Sequence, residues 1–488
     1  MNFYRLIRHK AKKTFIGFLV LLPFLVFAAD LPDFGDSAGS IVSPEYERRL
    51  GKMFLNQIRH YAHINKDPEV ESYIQSLGNQ LASYSDDNEQ PFTFFVVNNP
   101  GINAFAGPGG MIGMNSGVIL NSENESELAA VMAHEISHVT QRHLARQFEE
   151  ASKYSLINAA ALIGAVLVGI QNPEAGAAAI SAIGGLSAQN KANFTRANEQ
   201  EADRIGMQLL ARAGYNPRSM PAFFEKLQQL SRYSQSAAPE FIRTHPLTTS
   251  RIADTRARAE EFPIDEFTNT HPYELTKYKL FVNSSKTAKE AAKFLLDELN
   301  RSNLSDKEKL PIRYGLAYAY IYNREFARAE QQLEHLLRNN SDDVAYLLLA
   351  AKLQTTQSNY NAAFDIFKKA YGLYPDYRPA VIAYSRALLD TRKGKEARDV
   401  LKKYERHYQH DLDTYSLLGQ AEAMLGNEVE TTILQSEYYF LAGSTKLALD
   451  KLVFIKQQYQ IDYYQEQRVN ARMAELEYEL ELENDLNL

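Results

Sequence analysis

The stretch His134-Glu135-Ile136-Ser137-His138 determines how the first half of this chain folds and which chemistry it can carry. It lies in the segment Glu125 to Phe148, whose composition predicts an α-helix. Four residues advance a helix by about one turn, so His134 and His138 project from the same face. Two imidazoles in this arrangement can bind one Zn²⁺, and Glu135 lies close enough to act on a water molecule at that metal. The stretch therefore predicts the catalytic helix of a zinc metalloprotease.

The flanking sequence favours a packed helix over the alternative, which is a surface helix that carries two His and a Glu by coincidence. Asn124 is a good N-cap residue and Glu127 stands at position N3, and together they mark a helix start. A packed helix holds metal ligands rigidly, as a metal site requires. Apolar side chains that would bury part of the helix recur along it, namely Leu128, Val131, Met132, Ile136 and Val139.

A zinc site needs a third protein ligand, and the best candidate lies in the segment Asn198 to Asp203. We expect this segment to open a second helix that ends before Gly214. Glu199 and Asp203 are four residues apart and share a helix face, whereas Glu201 points elsewhere. Glu199 would bind the metal, and Asp203 would accept a hydrogen bond from the N–H of a ligand imidazole. The alternative is an acidic first turn that the helix dipole favours without any metal.

The first 29 residues predict a secretory signal peptide, in which a basic start precedes an apolar run from Phe15 to Phe27. The run is shorter than a transmembrane helix requires, and an uncleaved anchor is the alternative. Cleavage would remove five Lys and Arg residues and change the formal net charge from −7 to −12, which disfavours nucleic-acid binding. The absence of Cys excludes a thiol nucleophile and Cys-ligated zinc, and it is compatible with export to a bacterial periplasm.

The remaining N-terminal sequence predicts helices around a small sheet. Asp67 to Ser83 is amphipathic and predicts a helix, and Phe92 to Val97 predicts a strand. A second strand is expected from Met111 to Ile119, and a strand beside the catalytic helix could accept an extended peptide by edge pairing. The preceding Gly107-Pro108-Gly109-Gly110 is typical of an ordinary turn.

Two apolar segments, Leu156 to Ile170 and Glu174 to Leu186, are each shorter than the roughly 20 residues that a bilayer span needs. We expect a mobile apolar flap, or a segment that touches membrane or substrate. A buried helical hairpin and a membrane hairpin are the alternatives.

Beyond Asp265, small residues recur at fixed offsets in helical segments, as in tetratricopeptide repeats, and a generic helical bundle is the alternative. Stacked repeats would build a concave protein-binding surface. The fitting positions are Ala363, Phe367, Ala370 and Pro375, then Ala397 and Leu401 at 34 residues after Ala363 and Phe367, and Ala327 at 36 residues before Ala363.

The pattern His134-Glu135-x-x-His138 followed by Glu199-x-x-x-Asp203 resembles the gluzincin metalloproteases, which include the HtpX and CAAX-prenyl endopeptidases. The segment Asn103 to Gly110 and the residues after it are similar to the part that precedes the metal helix in that group. With the tetratricopeptide-like region, nearly the whole mature chain resembles the BepA-type β-barrel assembly-enhancing proteases.

This resemblance implies one Zn²⁺ per chain, bound by His134, His138 and Glu199, with Glu135 as the catalytic residue. In the family the counterpart of Asp203 is assigned as a proton donor. A contact from Asp203 to a ligand imidazole is physically easier to defend.

The resemblance also gives a role to His245, which the sequence alone places in the loop Arg243-Thr244-His245-Pro246. It implies that His245 occupies the fourth position on zinc and keeps the protease latent. An imidazole at that position would displace the water that must attack the substrate, so movement of the loop would switch activity on.

The same resemblance implies a periplasmic endopeptidase for quality control of outer-membrane β-barrel proteins. Its substrates would be unfolded or stalled β-barrel proteins, and its partners the barrel-assembly machinery and the lipopolysaccharide-translocon barrel. We expect no nucleic-acid partner, and peripheral membrane contact stays open. The alternatives are a chaperone or assembly scaffold that acts through its repeats with the protease site idle, and a membrane-embedded HtpX-like protease.

The expected fold is mostly α. A signal peptide (1–29) precedes an N-terminal α+β gluzincin-like zinc protease domain with a small sheet (30–265). A linker with the first repeat-like helices (266–305) leads to a C-terminal α-solenoid of tetratricopeptide-like repeats (306–488). His143 would point away from the ligand face on a continuous helix, so we do not expect it to bind the metal. Arg251 is a candidate for an additional oxyanion donor.

Overall fold

The computed structural model describes residues 44–86, 91–146, 188–233, 239–263, 267–301, 304–408 and 411–485. The proposed signal peptide and the two apolar segments between Leu156 and Leu186 lie outside these residues. Within the described ranges, no helix is both long enough and apolar enough to cross a bilayer. The described chain is mostly helical with one small sheet, which confirms the predicted fold class.

The N-terminal part begins with two helices, α1 (Pro44–Tyr61) and α2 (Pro68–Ala82), and the predicted helix after Asp67 is confirmed by α2. Three strands follow in the sheet order β1-β3-β2, with β3 parallel to β1 and antiparallel to β2. The Gly-rich stretch forms a tight 3₁₀ turn between β2 and β3, as expected of a turn. The strands are β1 (Thr93–Val97), β2 (Ala104–Ala106) and β3 (Met111–Asn115).

The catalytic helix predicted from the sequence is α4 (Glu125–Thr140), which follows the short α3 (Ser116–Asn121). The Asn124 side chain caps α4 and accepts a hydrogen bond from the backbone N–H of Glu127 at 3.0 Å, as predicted. The expected extent to Phe148 is wrong. The helix ends at Thr140 because Arg142 adopts a left-handed backbone with φ of 52°, and a separate helical turn begins at His143.

The second predicted strand is also too long, because β3 ends at Asn115 and Ile119 is helical. A short apolar run fits a buried strand and a buried helix equally well, so its pattern could not separate the two. Moreover, β3 is the central strand and is paired on both sides. The strand at the sheet edge that packs beside α4 is β2.

Four more helices complete this part: α5 (Ala188–Arg212), α6 (Ser219–Tyr233), α7 (Glu240–Thr244) and α8 (Thr249–Ala259). α5 lies so close to α4 that a Cβ at Gly206 would stand 3.2 Å from the backbone N of His134. The predicted stop before Gly214 is confirmed, since Gly214 has a positive φ of 81°. The predicted start at Asn198 is wrong, because the polar residues from Ala188 onward are already helical. Glu199 therefore lies inside the helix, which excludes the alternative that it belongs to an acidic first turn.

Beyond residue 267 the described chain consists of helices joined by short turns. α13, α15 and α17 begin at 34-residue intervals, which is the period expected from the small residues. The helices are α9 (His271–Ser284), α10 (Ala288–Leu299), α11 (Asp306–Tyr322), α12 (Phe326–Asn339), α13 (Val344–Thr356), α14 (Tyr360–Leu373), α15 (Arg378–Asp390), α16 (Gly394–Glu405), α17 (Leu412–Met424), α18 (Glu428–Leu441), α19 (Thr445–Gln458) and α20 (Tyr463–Asp485).

The turn inside each helix pair repeats with the same period. Arg324, Ser358, Arg392 and Gly426 follow one another at 34-residue steps, and each has a positive φ between 58° and 75°. Two predicted packing positions, Ala363 and Ala397, are buried at 34-residue spacing. The placement of Ala327 is wrong. It is exposed, and the buried equivalent is Ala329, which lies 34 rather than 36 residues before Ala363.

The repeats contact the N-terminal part at several points. Arg378 at the start of α15 pairs with Glu71 of α2 at 3.0 Å, and Arg49 of α1 lies 3.8 Å from Glu479 of α20. Lys279 of α9 also forms ion pairs with Asp67 and Glu69 at the start of α2. The catalytic part and the repeats are therefore joined by ion pairs as well as by the chain.

Candidate metal centre

Four side chains from three places in the chain converge beside α4. His134 and His138 come from α4, Glu199 from α5, and His245 follows α7 directly. One donor atom of each lies within 4.8 Å of those of the other three. The structure thus brings together the four residues that the sequence and the resemblance proposed as ligands.

The spacing of the donor atoms fits a small tetrahedral ion. Nε2 of His134 lies 3.1 Å from Nε2 of His138 and 3.3 Å from Nδ1 of His245. The Glu199 oxygens lie 3.5 Å from each α4 imidazole and 3.1 Å from Nδ1 of His245. Zinc–nitrogen bonds of 2.0–2.1 Å at tetrahedral angles place neighbouring ligand atoms about 3.3 Å apart. The residues present therefore fit Zn²⁺ in both donor type and spacing.

The electrostatics of this cluster favour a cation. Burial alone would raise the pKa of Glu199, but the imidazoles of His245, His134 and His138 hold it well below its usual value. Burial alone would lower the pKa of His134, but hydrogen bonds to Asp203 and Glu199 raise it to about 10. Burial lowers the pKa of His138 well below its usual value. The carboxylates thus hold positive charge at His134, and a metal cation could take the place of that proton.

Glu135 presents its carboxylate to the same cluster and is fully buried. Within the described part of the chain, neither of its oxygens makes a hydrogen bond of ordinary geometry, although the backbone of Ala106 lies near enough to lower its pKa. Oε1 lies 3.5 Å from Nε2 of His245. Burial raises the pKa of this carboxyl group above its usual value. A buried acceptor without a partner beside a metal-ligand cluster is placed to take a proton from a reactant.

Asp203 lies behind the ligands. Its Oδ1 is 3.0 Å from Nδ1 of His134, the nitrogen that faces away from the donor cluster. Arg251 binds both oxygens of Asp203 at 2.8 Å, and its third nitrogen lies 2.8 Å from Oε2 of Glu199. The guanidinium also donates to the carbonyl of Pro246 at 3.0 Å, next to His245.

The contacts of Arg251 with Asp203 and Glu199 could not be predicted from the sequence. The sequence makes Arg251 a candidate oxyanion donor, whereas in the structure its guanidinium contacts two buried carboxylates and a carbonyl. No spacing rule relates Arg251 to Asp203, because the two residues come from different helices 48 positions apart.

His143 was also misplaced. On a continuous helix it would point away from the ligand face, but the break at Arg142 returns it to the site. Its Nδ1 lies 2.9 Å from Nδ1 of His138. His143 is outside the donor cluster, in line with its rejection as a ligand, yet it is buried against one of the ligands.

Comparison with known proteins identifies the family of the chain. Residues 68–259 match the model of Peptidase family M48. The chain is 36% identical over 456 residues to the beta-barrel assembly-enhancing protease of Escherichia coli, which covers 93% of both chains. The chain belongs to this family of M48 proteases. A putative beta-barrel assembly-enhancing protease of Vibrio cholerae is 35% identical over 449 residues, or 92% of each chain.

Two further matches of this M48 protease agree with a protease that carries repeats. Residues 355–421 match a tetratricopeptide repeat model. The mitochondrial metalloendopeptidase OMA1 of Saccharomyces cerevisiae is 33% identical over 162 residues, which cover 32% of this chain and 44% of that protein. The predicted family and enzyme class are confirmed. The protein is a zinc metalloendopeptidase, a hydrolase of peptide bonds, with tetratricopeptide repeats in its C-terminal half.

Proposed function

We propose that this protein is a periplasmic zinc endopeptidase for quality control of outer-membrane β-barrel proteins, held latent by His245. The observation that carries the proposal is the convergence of four protein donor atoms, all within 4.8 Å of one another, beside the unpartnered carboxylate of Glu135. Three donors would make an open catalytic zinc site, and the fourth would close it.

His134, His138 and Glu199 would hold one Zn²⁺ per chain. When bound, zinc lowers the pKa of water toward neutrality and polarises a peptide carbonyl. Glu135 would take the proton of the attacking water, because its carboxylate is buried at the cluster and makes no side-chain hydrogen bond of ordinary geometry. The same carboxyl group can then return the proton to the leaving amine.

Asp203 would orient a ligand and not act as a proton donor to the leaving group. Its two oxygens face the Arg251 guanidinium and Nδ1 of His134. An acceptor at Nδ1 fixes the tautomer that leaves the Nε2 lone pair of His134 directed at the metal. The proton-donor assignment found in the family would require Asp203 to leave two buried contacts.

His245 would act as a latch. Its Nδ1 lies among the ligand atoms, and its Nε2 faces Glu135 at 3.5 Å. In this position the imidazole occupies the place of the attacking water and stands beside the base that would activate it. α7, which carries the latch, has only five residues and is followed by Pro246. Phe241 of α7 is buried in the catalytic core, so release of the latch would come from movement of His245 and the loop after it.

A substrate would bind as an extended strand along β2. This strand lies at the edge of the sheet and packs beside α4. Edge pairing would present successive peptide carbonyls to the cluster, with affinity supplied by main-chain hydrogen bonds. The tetratricopeptide repeats would select protein clients over a wider surface.

The names of the relatives support the cellular role. The Escherichia coli and Vibrio cholerae proteins are named for β-barrel assembly, and we extend this role to the present chain. Unfolded or stalled outer-membrane β-barrel proteins would be its substrates, and the barrel-assembly machinery and the lipopolysaccharide-translocon barrel its partners. The signal peptide predicted for residues 1–29 supports a periplasmic location.

Two variants test the proposal on purified full-length protein with an unfolded outer-membrane β-barrel protein as the substrate. Glu135→Gln should retain zinc and abolish cleavage, whereas His245→Ala should raise basal cleavage. Cleavage by Glu135→Gln would refute the proposed base, and unchanged basal cleavage by His245→Ala would refute the latch.

The alternative roles are separated in cells. If Glu135→Gln restores the envelope barrier of a strain that lacks the protein as well as the native chain does, the repeats act as an assembly scaffold and proteolysis is secondary. Extraction with alkaline carbonate should release the protein from membranes, and retention would favour the membrane-embedded alternative.

A further inference from the structure

The outer nitrogen of His138 has a partner that the spacing of the zinc motif does not supply. Nδ1 of His143 lies 2.9 Å from Nδ1 of His138, and Nε2 of His143 lies 3.1 Å from Oε2 of Glu201. His143 is buried at 2% exposure, so water does not replace these partners. The three side chains form a line from the surface of α5 to the donor cluster.

The end of this line is a carboxylate that stays ionised. The Glu201 side chain is 31% exposed, and Arg146 donates to its Oε2 from 3.2 Å. An ionised carboxylate accepts hydrogen bonds and cannot donate them. Nε2 of His143 must therefore carry the proton in the contact with Glu201.

The remaining hydrogen-bond directions then follow one by one. A neutral imidazole with a proton on Nε2 has only a lone pair on Nδ1, so Nδ1 of His143 can only accept. The donor in that contact must be Nδ1–H of His138. The proton of His138 is thereby held on its outer nitrogen, and the lone pair of Nε2 points at the donor cluster. With His143 neutral, any other proton arrangement along this line would leave two lone pairs or two protons facing each other.

We infer that His143, oriented by Glu201, is a positioning residue that fixes the metal-binding tautomer of His138. The two imidazoles of α4 would thus be oriented by different devices: His134 contacts a carboxylate directly at Asp203, and His138 reaches one through an interposed imidazole. The inference rests on the proposed zinc site and adds a residue to it.

The left-handed backbone at Arg142 is what makes the contact available. Gln141 N–H and Arg142 N–H still close the last turn of α4 on the carbonyls of Ser137 and Val139 at 3.0 and 2.8 Å. The positive φ of Arg142 then redirects the chain so that His143, five residues after His138, returns toward it. On an uninterrupted helix, residues five apart are separated by about 140° around the axis and would not meet.

The test measures zinc binding rather than activity, with a chromogenic chelator as the competitor for the metal. His143→Phe keeps an aromatic ring of similar size and removes both hydrogen bonds, and it should weaken zinc binding about 10- to 100-fold. His143→Asn places an amide oxygen near the position of Nδ1 and should recover most of the affinity. His335→Phe, an exposed His in the repeats, is the matched control and should bind zinc as the native chain does.

Glu201→Gln tests the line from its other end and changes only a partly exposed side chain, so it tests the inference even if His143→Phe fails to fold. A Gln amide can donate to Nε2 of His143 and reverse its tautomer, so zinc binding should weaken about 3- to 10-fold. Nitrogen NMR of labelled His should show a protonated Nδ1 on His138 in the native zinc form.

Four results would overturn the inference: native affinity in His143→Phe, native affinity in Glu201→Gln, equal loss in His143→Asn and His143→Phe, or a zinc form with Nδ1 of His138 unprotonated. These results are distinct from a failure of the proposed function, which would appear as a native chain that binds no zinc.

Discussion

Replacement of Arg251 by Met should destabilise the metal-free catalytic part by about 3–5 kcal/mol, the usual cost of removing one partner from a buried ion cluster. Arg251 is 2% exposed and makes three contacts of 2.8 Å to Asp203 and Glu199, whose side chains are 2% and 4% exposed. Met fills much of the same space, so the variant removes charge and hydrogen bonds without a large cavity. Asp203 and Glu199 would then keep only the neighbouring imidazoles as compensating positive charge.

Hydrogen exchange of the α4 amides measures this effect where it arises. At about 1.4 kcal/mol per tenfold change, the protection of these amides should fall roughly 100- to 4,000-fold in the metal-free protein. Added zinc should recover part of the loss, because the cation also neutralises Glu199. Arg256→Met is the control, since Arg256 is 63% exposed in its pair with Glu225 and should contribute about 0–1 kcal/mol. A loss in Arg251→Met as small as that of the control would refute this account of the cluster.

Three further predictions concern pH, the repeat turns and the metal. Burial, opposed by Arg378, raises the pKa of Glu71 to about 7 from an ordinary 4.5. The folded state then holds a proton that the unfolded state releases, so stability should decline between about pH 4.5 and 7. Glu71→Gln should flatten this decline in melting temperature, and an unchanged slope would contradict the assignment. Ser358→Gly should stabilise the repeats by about 1 kcal/mol and Gly426→Ala should destabilise them by about as much, because both positions have a positive φ; urea unfolding of each variant measures the difference. Removal of the metal with a chelator should lower the melting temperature and zinc should restore it in a concentration-dependent way, whereas an unchanged temperature would argue against a metal held by the folded state alone.

Much of the catalytic part could be predicted because its residues lie on one helix or at helical spacing. The interval between His134 and His138 fixes a shared face, and Asn124 supplies a local start signal. Glu199 and Asp203 share a face on any helix that contains them. Their shared face was therefore predicted correctly, although the helix begins ten residues earlier than expected.

The errors arose where one local conformation overrides a periodic pattern. The positive φ of Arg142 ends α4 and returns His143 to the site, and nothing in the composition around an Arg signals that conformation. Arg324 and Ser358 adopt the same left-handed backbone and form the turns inside two helix pairs without a glycine. Because no glycine marks the turn at Arg324, the sequence did not fix the repeat register there, and the placement of Ala327 was wrong. The contacts of Arg251 join different helices, and no rule of local spacing reaches that far.

α9 belongs to two hydrophobic cores at once. Tyr273 and Leu280 pack with the catalytic core, while Leu275 and Val282 pack with the first repeats. A chain shortened at residue 265 would therefore leave an apolar trough on the catalytic part, and the complementary fragment would expose a buried tyrosine. Limited digestion should yield few stable halves, because each core depends on the opposite side of one helix. The catalytic part and the repeats thus share one helix between their cores, and cleavage between them should destabilise both.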